Sequence, residues 1–209
     1  MKLQLFSATA MVALTLASCG GGSTAEGEGA IDSAASMAAK EVTYAVDIAA
    51  SKLTWKGVMI GVKYHEGTMA FTEGSFTAKG GQLVSGGFVV DMKSMMPVDT
   101  NYNKDYTKEK LTGHLASPDF FAVDSFPTAS FKVTSVSGNT ATGELNVRGR
   151  MATETVTDIV ISEENGMANA SGKLVFNRQK YGVSWANPMK DMVLSDDIEI
   201  VVSLVGKGQ

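Results

Sequence analysis

The sequence predicts an all-β fold: an eight-stranded antiparallel barrel carrying one short helix and a capping loop. Three observations carry that reading. Beyond residue 43, apolar and polar residues alternate at period two through most of the chain. Turn signals rich in Gly, Asn and Ser separate these runs at short intervals. Only Thr100 to Leu115 departs from the pattern, and there Asp105 is placed to cap a short helix with Leu111 and Leu115 four apart on one side. About eight strands with short connections close most economically on themselves, because closure removes the exposed edges of an open sheet.

The elements follow in order. Met1-Lys2, then Leu3, Leu5, Phe6, Met11, Val12, Leu14 and Leu16, form a leader too short to span a bilayer and suited to export. It ends in Leu16-Ala17-Ser18-Cys19, which resembles the lipobox of bacterial lipoproteins, where cleavage precedes a cysteine whose thiol has been acylated. Cys19 is the only cysteine, so it has no disulfide partner within the chain. Residues 1–18 are therefore read as a signal peptide. Residues 19–42, from the lipidated Cys19 through a run rich in Gly, Ala, Ser and Glu, are read as a flexible tether. As a random coil the tether reaches about 25 Å. The folded domain occupies residues 43–207.

Within it, Leu53, Trp55, Gly57 and Met59 share one face of a strand and Lys52, Thr54 and Lys56 the other. Met69 and Phe71 alternate with Thr68 and Thr72, while Phe88, Val90 and Met92 share a face. Phe131 and Val133 alternate with Lys132 and Thr134, and Leu145 and Val147 with Asn146 and Arg148. Segments 153–162, 167–177 and 197–205 complete the set. Turns are expected at Lys79-Gly80-Gly81, Ser137-Gly138-Asn139 and Glu163 to Gly166. Two other all-β arrangements fit the same strands. A membrane barrel would turn its apolar faces outward, but a chain anchored through an acylated Cys19 has no need to span the bilayer, so the remaining contrast is a β-sandwich, which would pack the same faces together without a cavity.

Composition bounds the function. With 209 residues, 44% hydrophobic and 19% charged, one globular domain is expected. The net charge is −4 and no run of Lys or Arg occurs, so neither nucleic acid nor an anionic bilayer is an evident electrostatic partner. Removing residues 1–18 takes away one lysine and leaves 17 basic against 22 acidic side chains, near −5.

The run from Leu111 to Phe131, LTGHLASPDFFAVDSFPTASF, resembles the signature of the YceI-like family. So do Tyr44-Ala-Val-Asp47, Ser51 to Trp55, Gly67 to Phe71, Phe88 to Met92, Gly143 to Gly149, Asn177-Arg178 and Tyr181-Gly182. Met151 to Thr155 depart from the family's usual step into the following strand. The resemblance covers residues 43–205 and implies a lipocalin-like eight-stranded barrel that binds long isoprenoid or related amphiphilic chains.

The expected ligand-binding residues are Leu53, Trp55, Met59, Met69, Phe71, Phe76, Phe88, Val90, Met92, Phe131, Leu145 and Phe176 on inward faces, with Val133, Val147 and Leu174 beside them. Twelve methionines suit a flexible apolar guest and equally suit an irregular core. Arg178, Tyr181 and Trp185 follow a strand near the mouth. Arg178 is placed either to meet a polar head group or to pair with Asp191, Asp196 or Asp197.

Phe120, Phe121, Phe126 and Phe131 supply bulk where helix and loop close one end, Pro118 ends the helix, and ligand contact is the alternative reading of the rings. His114 and Asp119 suggest acid-base chemistry, but no motif supplies a nucleophile and His65 lacks metal-ligand spacing. A structural role follows, with His114 bonded to backbone groups and Asp119 capping a turn. The expected function is therefore non-catalytic lipid carriage or sequestration, with no cofactor, metal or nucleic acid. An enzyme using His114 and a ligand-free structural or adhesive domain are the alternatives. The lipobox implies a bacterial envelope lipoprotein bearing fatty acyl groups such as palmitate on Cys19. Gly20 is not the acidic residue that holds lipoproteins at the inner membrane, so the outer membrane is expected, with the domain facing the periplasm, and a homodimer is compatible with the sequence.

Overall fold

The computed structural model describes residues 39–187 and 192–209. The expected signal peptide, Cys19, nearly all of the expected tether and Asp191 lie outside the described residues.

The strands are β1 (Val42–Val46), β2 (Lys52–Met59), β3 (Lys63–Lys79), β4 (Gln82–Pro97), β5 (Thr128–Ser137), β6 (Thr140–Val147), β7 (Arg150–Glu164), β8 (Met167–Asn177) and β9 (Leu194–Gly208). One helix, α1 (Lys108–Ala116), joins β4 to β5, and a 3-10 turn (Arg178–Tyr181) follows β8. Sequential antiparallel pairing runs from β2 to β9, and β2 also pairs with β9, which closes the sheet. β1 lies between the far ends of β3 and β9, continuing the position that β2 occupies nearer the other end. β1 and β2 are thus one strand interrupted at Asp47, whose carboxylate accepts hydrogen bonds from the Ala49 and Ala50 amides at 3.1 and 3.0 Å. Nine segments occupy eight positions, the eight-stranded antiparallel barrel that alternation predicts.

Connections sort by end. Lys79 to Gln82, Ser137 to Thr140 and Glu164 to Met167 are tight hairpins at the far end, where the described chain also enters and leaves. The far end is tied by Glu163, which accepts from the Tyr44 hydroxyl at 2.7 Å and from the Gly81 amide at 2.7 Å. Burial, with the Glu163 carboxylate adding to it, pushes the Tyr44 phenol up to about 12. The long connections, including α1, gather at the opposite end.

Strict alternation cannot place both Phe71 and Phe76 inside, because they stand five positions apart, an odd offset. A register shift between Phe71 and Glu73 opposite β4 resolves this. The extra residue flips the phase, leaves Thr72 and Glu73 both exposed, and buries both phenylalanines.

Two local expectations about the connections are corrected or sharpened. The helix begins two residues later than expected: its cap is Thr107, whose hydroxyl accepts from the Lys110 amide at 3.3 Å. Asp105 instead accepts the Lys110 ammonium on its backbone carbonyl at 2.9 Å. The helix ends at Ala116 because Ser117, which precedes Pro118, takes an extended conformation. Between β6 and β7, Arg148 and Gly149 turn the chain with φ of 54° and 70°, the two positive angles of a type I′ hairpin. The Arg148 guanidinium then donates to the carbonyls of Gly182 and Pro118, fastening two mouth-end loops together.

Candidate functional site

The inward faces do not fill the barrel. They enclose a cavity of about 1050 Å³ that opens toward the long connections. Small-molecule cavities commonly measure about 300–1,000 Å³, so this one has room for a large guest. Apolar faces point into a cavity, which decides against both the membrane barrel and the solid sandwich as readings of this chain.

Of the residues expected at the ligand, Leu53, Trp55, Met59, Met69, Phe71, Phe76, Phe88, Val90, Met92, Phe131, Leu145, Phe176 and Trp185 line the cavity, as do Val133, Val147 and Leu174. Strand geometry explains the set, since every second residue on each strand faces in once the bulges are counted. The Trp55 indole packs directly against Gly67. A Cβ at Gly67 would lie 2.5 Å from the indole Cζ2 and 2.4 Å from the Met96 carbonyl, so the close approach requires glycine there.

Arg178 and Tyr181 do not reach the cavity. Arg178 is 3% exposed, and its guanidinium donates to the carbonyls of Val183 (2.6 Å), Trp185 (2.9 Å) and Ser195 (3.1 Å) and to the Asp196 carboxylate (3.0 Å). Burial pulls its pKa down, and Asp196 acts in the opposite direction. The head-group role is therefore replaced by a structural one: Arg178 holds the segment that presents Trp185. Tyr181 is fully buried and donates to Glu154 at 3.0 Å, and burial followed by that bond raises its pKa. Lys180 donates to the same Glu154 oxygen at 3.0 Å.

Phe120 and Phe121 are buried and also line the cavity, so these rings close one end and face the lumen at once. Phe126 packs instead against the Gly149 turn. His114 differs from expectation. Its ring lies among aromatic neighbours, with centroids 4.7 Å from Trp185 and 5.5 Å from Phe120, and its Nε2 is buried without a partner. Asp119 is exposed.

The mouth carries residues that no periodic signal marked. Val62, Lys63, His65, Tyr102, Tyr106 and Lys110 all line it. His65 Nδ1 lies 3.2 Å from both oxygens of Asp99, whose Oδ2 also accepts from the Tyr102 hydroxyl at 2.9 Å. The Glu66 and Asn101 amides complete the set at 3.1 and 2.8 Å. Burial pushes the Asp99 pKa up, yet the hydrogen bonds from Asn101, Tyr102, Glu66 and His65 outweigh it and hold the carboxyl below its ordinary value. His65 and Asp99 stand 34 positions apart on β3 and in a loop, so only the fold brings them together. Among the described residues no three His, Cys, Asp or Glu side chains gather as a metal site, and no helix is long and apolar enough to cross a membrane.

The fold has solved counterparts. BcnA of Burkholderia cenocepacia is 24% identical with a TM-score of 0.58, over 77% of this chain and 98% of that one. A polyisoprenoid binding domain from Saccharophagus degradans implicated in plant cell wall breakdown is 13% identical with a TM-score of 0.57, over 79% of this chain and 98% of its own. Both likenesses concern the fold. No match was found among curated proteins. The YceI-like domain matches residues 44–206, from the first strand to the last, and the chain accordingly belongs to the YceI-like family.

Proposed function

We propose that this protein binds a long isoprenoid or similar amphiphilic lipid in the barrel and carries or sequesters it without chemical turnover. The observation that carries the reading is the apolar cavity of about 1050 Å³, open at one end of a closed barrel. Each methylene moved from water into such a space contributes about 0.8 kcal/mol, so a chain of several isoprene units outweighs the cost of ordering it. Membership of the YceI-like family and the fold shared with a polyisoprenoid binding domain support a lipid as the guest.

The leader and the Leu-Ala-Ser-Cys19 sequence support anchoring through an acylated Cys19, with the barrel tethered in a bacterial envelope at the periplasmic face of the outer membrane. The aromatic surroundings of His114 favour a binding role over catalysis there.

Organic extraction and mass spectrometry of the purified protein test the proposal. An isoprenoid or fatty-acid-like chain in near-stoichiometric amount is expected. Protein that yields no lipid, and takes none up when polyprenol is offered, overturns it.

A further inference from the structure

The exposed apolar side chains are unevenly placed. Ile60 (57% exposed), Val62 (53%), Tyr106 (58%) and Val193 (57%) meet at the mouth, and the Ile60 amide donates to the Val193 carbonyl at 2.8 Å. Val62 and Tyr106 are at once exposed and part of the cavity wall, so the greasy rim runs without a break into the lumen. Lysines stand among these residues. Lys63 lies over Tyr106 at 5.7 Å, Lys56 over Tyr64 at 4.4 Å and Lys108 over Tyr102 at 6.0 Å, and among the described residues every cation–π contact is at this rim. With Lys104 and Lys110 they make five ammonium groups, among which lie the carboxylates of Glu66, Asp105 and Glu109, while Asp197 and Glu199 stand on β9 beside β2, Glu199 directly opposite Lys56; Asp99 is occupied by His65 and Tyr102. In a chain of net charge −4, lysines thus stand around an apolar collar at the opening, three of them over its tyrosine rings.

We propose that this collar docks on an anionic phospholipid surface, with the β2–β3 tip at Ile60 and Val62 entering the acyl region and the lysines meeting lipid phosphates. Apolar residues flanked by Lys and Tyr are the arrangement by which proteins seat in a membrane interface. The described chain enters the barrel at the far end, which leaves the mouth free to meet a bilayer. The absence of any Lys or Arg run had argued against an anionic bilayer, but the fold gathers these lysines at one end from three separate segments. The inference rests on the lipid-carrier reading for its purpose, since a docked mouth lets a lipid pass without crossing water, but it is tested separately.

The test uses the full chain with Cys19→Ala, so that a single introduced cysteine carries an environment-sensitive fluorophore. One label is placed at Ile60→Cys and the control at Val160→Cys, which is somewhat more exposed but lies on β7 away from the rim. Vesicles of equimolar phosphatidylglycerol and phosphatidylcholine, with and without brominated acyl chains, are added. The label at position 60 is expected to shift to the blue and be quenched by bromine, while the label at position 160 is not. Val62→Asp is expected to weaken vesicle affinity about tenfold. Lys63→Gln with Lys110→Gln is expected to abolish the preference over pure phosphatidylcholine.

No change at position 60 overturns the proposal, as does equal quenching at both positions or a response only to an envelope protein fraction. Lipid extraction from the same samples separates the two readings. Docking with an empty lumen sinks the carrier function alone, and a lipid-filled lumen with no docking sinks the collar alone.

Discussion

The imidazole of His114 stands edge-on to the indole of Trp185, ring centroids 4.7 Å apart, with Nε2 buried and without a hydrogen-bond partner. A polar atom sealed in aromatic surroundings costs about 1–3 kcal/mol in the lipid-free protein. His114→Phe keeps the edge-on packing and removes that cost, so it is expected to raise the unfolding free energy of delipidated protein by about 1 kcal/mol. Urea denaturation measures it. A lowered midpoint would show that the nitrogen has a partner this account lacks.

Cavity volume, if it decides occupancy, is open to adjustment without touching polarity. Ala170 lines the lumen on β8. Ala170→Leu extends an apolar side chain into free space, where the usual overpacking cost of about 1–3 kcal/mol is relieved by the room available. Bound lipid per protein is expected to fall several-fold while thermal stability stays near the wild-type value. Unchanged occupancy would place the guest elsewhere in the barrel.

Asp99 is the acid-sensitive point of the mouth. Its folded-state pKa lies below the ordinary carboxylate value, so its stabilising contribution is complete above about pH 4 and is lost as pH falls through the lower folded value. Asp99→Asn is expected to cost about 2 kcal/mol at neutral pH, through the weakened bonds from His65 and Tyr102. The gap to wild type should close on acidification below about pH 4. Unfolding curves across that range check the sign, and a gap that widens in acid contradicts it.

Arg178 joins β8 to β9 from inside the mouth-end loop. Arg178→Lys retains the charge but cannot fill the four acceptor positions on Val183, Trp185, Ser195 and Asp196. A loss of about 2–3 kcal/mol in stability is expected. Because the side chain does not reach the cavity, the kind of lipid extracted should not change. A shift in lipid class on this substitution would return Arg178 to the head-group role.

The strands were legible because their signal is local. Alternation in Leu53 to Met59 or Phe131 to Thr134 needs only neighbouring residues and one wet face, and hairpin turns announce themselves through Gly and Asn. Barrel closure followed from counting those strands and refusing them a free edge.

By itself, then, the sequence determined the strand set, the barrel, the helix between β4 and β5 and most of the side chains that face inward, since each depends on spacing along the chain. The tertiary structure decided what depends on distance through space. It chose Asp196 for Arg178, because β8 and β9 lie side by side with Asn177 opposite Asp197. It set His65 against Asp99 across 34 positions, and it gathered Lys63, Tyr106 and Lys110 at one opening. No local pattern encodes such meetings, for they arise only when closure of the sheet brings distant loops to the same end.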